Sequence, residues 1–291
     1  MPDYGSTAYW DKRYGREQDP YDWLFDFREL EMIINNLIPD KNAPILLIGC
    51  GNAPFSGDLY SGGYTNLTNT DISTVVIEQQ KAKHPEQQWL LMDVMEMSFD
   101  DQSIPVLLDK SLIDTVLCYS DSVNETKRMI KEVYRIMAPG SRYITFSLHS
   151  PDEVLRYIAD PQFSEWAVSA FRIKSNRWTE EDARRHAAVA YTMVVADRCN
   201  RDGSFKANAQ HPLPMTEALS EEAYQELRAN AEWFNFTLAM KSVTVNQLMR
   251  ELDLCLAGGN EPAEDEAEGE GEGEVRVRRE RLQREPEDNQ F

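Results

Sequence analysis

Residues able to hold a nucleoside recur at one interval early in the chain. Gly49-Cys50-Gly51 closes a short apolar run, Asp71 closes a second and Asp93 a third, with 22 residues from Gly49 to Asp71 and 22 from Asp71 to Asp93. Glycines at a first turn let the backbone approach a ligand, and the helix N-terminus that follows offers free N–H groups to an anionic end. An acid some 20 residues further on is placed to accept hydrogen bonds from ribose hydroxyls. Asp93 falls where an adenine amino group can be read. A dinucleotide fingerprint would read GxGxxG/A, whereas GCGNAP puts Pro54 at the third small position and counts against a bound pyrophosphate. S-adenosylmethionine brings a carboxylate to that turn and no phosphate.

Two further clusters could take part. Trp10, Tyr14, Tyr21 and Trp23 precede the first apolar run, in YWDKRYG and PYDWLF. Aromatic faces attract a sulfonium or ammonium cation, but rings at this density can equally pack an N-terminal segment onto a sheet. Leu108-Asp109-Lys110-Ser111-Leu112-Ile113-Asp114 closes another apolar run, either as solvated punctuation or as the mouth of a site where Lys110 meets a carboxylate. The four histidines, His84, His149, His186 and His211, form no ligand-spaced pair and read as structural or exposed, so no metal is expected.

The elements that must position these residues alternate between buried strands and amphipathic helices, the pattern of a mostly parallel sheet covered on both faces. A helix is predicted over Phe25–Leu37, then strands at Pro44–Ile48, Asn66–Thr70 and Gln88–Met92, with a helix at Ser73–His84 capped by Ser73. A fourth strand covers about Val106–Leu108, or continues after a turn through Ile113–Cys118. A helix over Glu125–Met137, stopped by Pro139-Gly140, leads into a strand at Arg142–Leu148. Trp166–Ile173 and Val189–Ala196 read as closing strands, Asn200–Thr216 as a loop, and Glu221–Trp233 and Val243–Leu256 as helices. In an open sheet of this kind ligands bind beyond the carboxyl ends of the strands, where all the residues singled out above fall.

Composition narrows the class. The 291 residues carry 30 Lys plus Arg against 50 Asp plus Glu and are 42% apolar, enough for a substantial core. The net charge of −20 disfavours nucleic acid and anionic membrane surfaces and favours a basic protein partner. Cys50, Cys118, Cys199 and Cys255 include no CxxC pair and suit a reducing compartment. No membrane span, targeting leader or lipid anchor is expected. After Gly258-Gly259, residues 260–274 hold eight acids and no base, and residues 275–284 hold five arginines. Such a segment buries too little to offset its ordering entropy, so residues 258–291 read as a disordered acidic, then Arg-rich tail. The domain proper is expected at 1–257, with a core at about 8–198 and an extension at 199–257.

Taken together, the motifs resemble a known family. ILLIGCGNAPFS resembles motif I of the class I (seven-β-strand) S-adenosylmethionine-dependent methyltransferases, and YTNLTNTDISTVVIEQQ resembles their second strand with its ribose-binding acid. MDVMEMSF, VLLDKSLIDTVL and VYRIMAPGSRYITFS extend the match. With YWDKRY and PYDW added, the chain is similar to the methyltransferases that modify lysine in translation elongation factor 1-alpha, the group that includes the endothelin-converting-enzyme-2-like methyltransferase domain.

The resemblance implies a Rossmann-like sheet of seven strands, S-adenosylmethionine as cofactor, and a cytoplasmic protein-lysine N-methyltransferase. It also implies that Trp10, Tyr14 and Trp23 flank the cofactor, Gly49 and Gly51 cradle its methionine end, Asp71 and Ile72 hold the ribose, Asp93 and Val94 the adenine, and that Lys110 sits beside it. The box Asp109 to Asp114 is associated with activity in that family. Its usual form is acid-Lys-Gly-Thr-Leu/Phe-Asp, so Ser111 and Leu112 are departures. A glycine there would serve a positive φ or close approach of substrate.

Methyl transfer from a sulfonium is an in-line displacement in which alignment is the main task. A lysine nucleophile must first lose a proton, at a cost of roughly 4–5 kcal/mol from a pKa near 10.4. By position Asp109 and Asp114 are the candidate acceptors. Two other readings stand beside this one: a nicotinamide-dependent oxidoreductase, and a methyltransferase-like fold without activity that serves as an interaction module.

Overall fold

A computed structural model of the chain describes residues 4–17, 19–163, 165–174, 190–201 and 242–244. Two short helices come first: α1 (Thr7–Arg16), and α2 (Phe27–Leu37) with a capping box between Asp26 and Glu29. There follow β1 (Ile45–Ile48), α3 (Phe55–Ser61), β2 (Leu67–Asp71), α4 (Thr74–Lys83) and β3 (Gln88–Leu91). The second half holds β4 (Ile104–Lys110), α5 (Leu112–Leu117), α6 (Ser122–Ile136), β5 (Met137–Ser147) and α7 (Pro151–Ile158). It closes with β6 (Trp166–Lys174), β7 (Ala190–Arg198) and β8 (Ser242–Thr244).

Among the described residues the strands form one sheet in the order β3-β2-β1-β4-β5-β7-β6-β8. The first five run parallel, β7 is antiparallel to both β5 and β6, and β8 adds an eighth strand parallel to β6. The expected seven strands are all present. The helix predicted over Val243–Leu256 is corrected at its start, because Ser242–Thr244 pair with Arg172–Lys174. Its remainder and the helix at 221–233 lie outside the described residues, as do the tail and most of the loop at 200–216.

Alternation along the strands divides the core in two. Ile45 and Leu47 of β1, Val106 and Leu108 of β4, and Ile144 and Phe146 of β5 join the layer under α1 to α4. Leu46, Ile48, Leu107 and Tyr143 face the layer made with α5, α6 and α7. Each fully buried aliphatic side chain of this kind contributes about 1.5–3 kcal/mol. The strand order reverses between β1 and β4, and the crevice at their carboxyl ends is where an α/β sheet binds its ligand.

Candidate active site

The crevice at that switch point is a cleft open to solvent, lined by residues from α1, the stretch before α2 and the carboxyl ends of β1, β2, β3 and β4. Gly49, Gly51, Asp71, Ile72, Asp93 and Val94 line it, as do Trp10, Tyr14, Trp23 and Lys110. Ten residues nominated from sequence as a cofactor site are thus brought together.

The two glycines are required by geometry. Gly49 has φ +60°, and a Cβ there would lie 2.8 Å from the Leu112 side chain. Gly51 has φ +57°, and a Cβ would meet the Tyr14 hydroxyl at 3.1 Å. Both backbone conformations favour glycine, and both side-chain-free surfaces face the cleft. The Gly51 N–H donates to Asp71 Oδ2 at 2.9 Å, and the Ser73 N–H donates to Asp71 Oδ1 at the same distance. Burial pushes the Asp71 carboxyl up to about 6, against the pull of the Ser73, Gly51 and Ile72 N–H groups. An ionised carboxylate offers about four acceptor positions, so these amides leave capacity for a further donor. Asp93 is exposed and accepts the Met95 N–H at 2.8 Å in a local turn.

The aromatic segment packs onto the core and also lines the cleft. Trp10 and Tyr14 are buried against the core with rings stacked at 5.7 Å, and they also face the cleft. Trp23 and Tyr21 remain exposed, edge to face at 4.8 Å, and Arg13 lies over both Trp10 and Trp23. Helix α1 is fixed from below: Asp11 Oδ1 accepts from the Ser73 hydroxyl at 2.6 Å and the Val75 N–H at 3.2 Å, and Gln79 donates to the Tyr14 carbonyl.

Lys110 anchors the stretch between α1 and α2. Its Nζ pairs with Asp22 and donates to the carbonyls of Trp23 at 3.0 Å and Phe25 at 3.1 Å. Leu24, between those carbonyls, has φ +65°, a conformation costing a branched residue about 1–2 kcal/mol that this clamp holds in place. Of the two roles open to Lys110, fixing an acidic neighbour is the one seen here.

The box at Asp109 to Asp114 departs from expectation. Asp109 and Asp114 do not line the cleft, and neither is free to meet a substrate. Asp109 is fully buried. It accepts from the N–H groups of Leu112 at 2.8 Å and Ile113 at 3.3 Å and from the hydroxyls of Tyr143 and Thr145, both at 3.0 Å. Burial pushes it up to about 7, with the Asp114 charge adding to the rise and the Leu112 N–H opposing it. Asp109 is therefore a cap for α5 that fixes the turn, and its nomination as a proton acceptor is corrected on that ground. Asp114 joins Ser111 to the end of β5: its Oδ2 accepts from the Ser111 hydroxyl at 2.8 Å, and its Oδ1 lies 2.9 Å from His149 Nδ1. Ser111 has φ +72°, the left-handed conformation that a glycine in this box would serve.

Sequence reasoning missed several residues of the wall, among them Asn52, Phe55 and Tyr119, whereas Ser111 and Leu112 belong to the run read as a possible mouth of the site. His149 was read as structural or exposed, although its ring sits on Asp114. A signal for it existed in its place immediately after the strand ending at Ser147.

Comparison with known proteins bears on the same stretch of chain. A family model described as a methyltransferase domain matches residues 46–145, from β1 through most of β5. The mouse protein "EEF1A lysine methyltransferase 4" is 31% identical over 179 residues, covering 57% of this chain and 69% of that protein. The chain belongs to the class I S-adenosylmethionine-dependent methyltransferase family. The mouse "eEF1A lysine and N-terminal methyltransferase" is 32% identical over 281 residues, covering 89% of this chain and 39% of that protein, so the chain spans well under half of that relative's length. Among solved structures, the N-methyltransferase NodS from Bradyrhizobium japonicum in complex with S-adenosyl-l-homocysteine matches with TM-score 0.48 and 14% identity, covering 65% of this chain and 98% of that one. S-adenosylmethionine is the cofactor of this methyltransferase. The cleft fits it: glycine turns that a side chain would fill, a buried acid with capacity for a further donor, aromatic walls and no fingerprint for a pyrophosphate. Among the described residues no helix is long and apolar enough to cross a membrane, and no group of His, Cys, Asp and Glu is arranged to hold a metal.

Proposed function

We propose that this methyltransferase is a protein-lysine N-methyltransferase acting on a protein like translation elongation factor 1-alpha. The observation that carries the reading is the 31% identity to a protein named for that activity over 69% of its length. The cleft supports it, because the residues nominated for an adenosyl sulfonium line one crevice at the switch point of the sheet. Gly49 and Gly51 would cradle the methionine end, Asp71 and Ile72 the ribose, and Asp93 and Val94 the adenine. Trp10, Tyr14 and Trp23 would face the sulfonium, whose positive charge suits aromatic faces. Lys110 would hold the PYDW stretch over the site. The bound cofactor supplies an electrophilic methyl group; the chain's part is to align a neutral amine with it and exclude water. The net charge of −20 favours encounter with a basic substrate. With that substrate would come a cytosolic place of action, carried out by residues 1–257, with 258–291 as an appended tail.

A second nucleophile enters through the printed name of the mouse relative that is also an N-terminal methyltransferase. Incubating the purified chain with labelled S-adenosylmethionine and elongation factor 1-alpha, then locating the label by peptide mass spectrometry, separates the two. Label on a lysine side chain supports the proposal. Label on the α-amine alone replaces the lysine with the N-terminus, and tight cofactor binding with no label on either amine would favour the inactive interaction module.

A further inference from the structure

The register of β4 and β5 brings the start of the β5–α7 turn against the cleft wall. Lys110 of β4 is level with Phe146 of β5, and the Ser111 N–H donates to the Phe146 carbonyl at 2.9 Å. His149 follows three residues later. Asp114 ties the two ends together, accepting from the Ser111 hydroxyl, the Ser147 hydroxyl and the Leu148 N–H while meeting His149 Nδ1 at 2.9 Å. The carboxylate is almost wholly buried, whereas the imidazole side chain is 30% exposed. One carboxylate therefore links Ser111 of the cleft wall to a half-exposed histidine that lies two residues past the carboxyl end of β5 and outside the cleft lining itself.

That arrangement fixes the ring chemically. An ionised carboxylate only accepts, so Nδ1 carries the proton and Nε2 of the neutral ring keeps a lone pair. The hydrogen bond that Nδ1 donates to Asp114 raises the imidazole's affinity for a proton above its ordinary value. The charges bearing on it are Asp114 from α5 and Glu153 from α7; from β7 Thr192 approaches with a neutral hydroxyl that donates to the His149 carbonyl. Asp109, the other carboxylate of the box, is sealed in the core by four hydrogen bonds.

We propose that His149 is the catalytic residue that takes the proton from the substrate amine before transfer, with Asp114 as its positioning residue. The inference rests on the amine-methyltransferase reading above. The ammonium gives one proton to His149 Nε2. The freed nitrogen lone pair attacks the methyl carbon, the N–C bond forms as the C–S bond breaks, and the electron pair of that bond goes to sulfur. His149 then returns its proton to solvent.

Two measurements on the full chain test this. In the first, kcat/KM for an amine substrate is followed against pH in the wild type, His149→Gln and His149→Asn, with cofactor affinity measured beside it. The wild type should rise through an inflection above pH 6.5, and the variants should lose roughly 100-fold or more near pH 7 together with that inflection, recovering part of the loss at high pH, while binding the cofactor within about threefold of wild type. Variants that bind cofactor normally and keep the inflection, or lose less than about threefold, overturn the proposal. In the second, the His149 imidazole of the wild type is titrated by NMR with no cofactor, with S-adenosylmethionine and with S-adenosylhomocysteine, which lacks the methyl group and the positive charge. A lower titration point with the sulfonium than with the thioether places Nε2 within range of the reacting methyl and supports the proposal. Identical titrations in the two complexes overturn it. Because this arm needs no acceptor protein, a wild type that methylates no amine would sink the proposed function while leaving the placement of His149 decided on its own.

Discussion

The backbone N–H of Gly51 donates to Oδ2 of Asp71, so the first two strand-to-helix turns of the cleft are joined before any ligand arrives. The glycine turn and the ribose-side acid are thereby set to one geometry, and the carboxylate's position depends on amides rather than on flexible side chains. Preorganisation of this kind lowers the ordering cost of binding.

Asp71→Ala should abolish measurable cofactor binding in titration calorimetry while the circular dichroism spectrum stays that of the wild type. Affinity of the wild type should also weaken as pH falls through about 6, where the Asp71 carboxyl gains its proton and loses acceptor capacity. Equal affinity at pH 5 and pH 8 would show that this carboxylate does not hold the cofactor.

Asp109 makes an opposite kind of pH statement, about stability. Its folded-state pKa, about 7, lies above the unfolded value near 3.9, so the folded chain binds the extra proton between those limits. Stability from this group is then full at the acid end and is lost as pH rises from about 4 through about 7. Urea unfolding across that window should show a slope shallower in Asp109→Asn than in wild type by up to one proton. The difference between the two proteins removes the background from the chain's net charge.

Ser111 can be tested by two substitutions that each remove only its small hydroxymethyl or hydroxyl group. Ser111→Ala keeps the left-handed strain and loses the hydrogen bond to Asp114, so it should cost about 1–2 kcal/mol. Ser111→Gly loses the same bond but relieves about 1–2 kcal/mol of strain, so it should stay within about 1 kcal/mol of wild type. Glycine less stable than alanine here would mean that the positive φ is not strained.

Lys110→Met should cost about 3–5 kcal/mol and weaken cofactor binding, since it leaves Asp22 buried without its cation. The double change Asp22→Leu with Lys110→Met should recover much of the stability. Recovery in denaturant midpoints, set against each single variant, measures how much of the loss is stranded charge.

Much of the fold was legible because strand and helix periods are local. Ile45–Ile48 and Leu67–Asp71 are buried runs ending in glycine or acid, and Met129, Ile130, Val133 and Ile136 mark one face of α6. What escaped was decided by distant partners. The run Ile113–Cys118 could have been strand or helix on periodicity alone; the Asp109 cap makes it α5. Ser242–Thr244 are strand because the edge of β6 pairs with them, nothing in their own spacing says so. Helix α7 was missed although Ser150 and Glu153 form a capping box at its start. In the site, residue types identified many of the side chains that line the cleft, but not which of the four nominated acids are spent internally. Only burial and hydrogen-bond partners separate Asp71, on the cleft, from Asp109, beneath it.

The tie between Lys110 and Asp22 also orders events during synthesis. The stretch that covers the cleft is made 88 residues before the lysine that holds it. At about 5–20 residues per second it waits on the order of ten seconds for its anchor. Until residue 110 is made the stretch lacks this anchor, so nascent chains arrested earlier should fail to retain S-adenosylmethionine. Cofactor retention in this methyltransferase is a readout of whether β4 has taken its place.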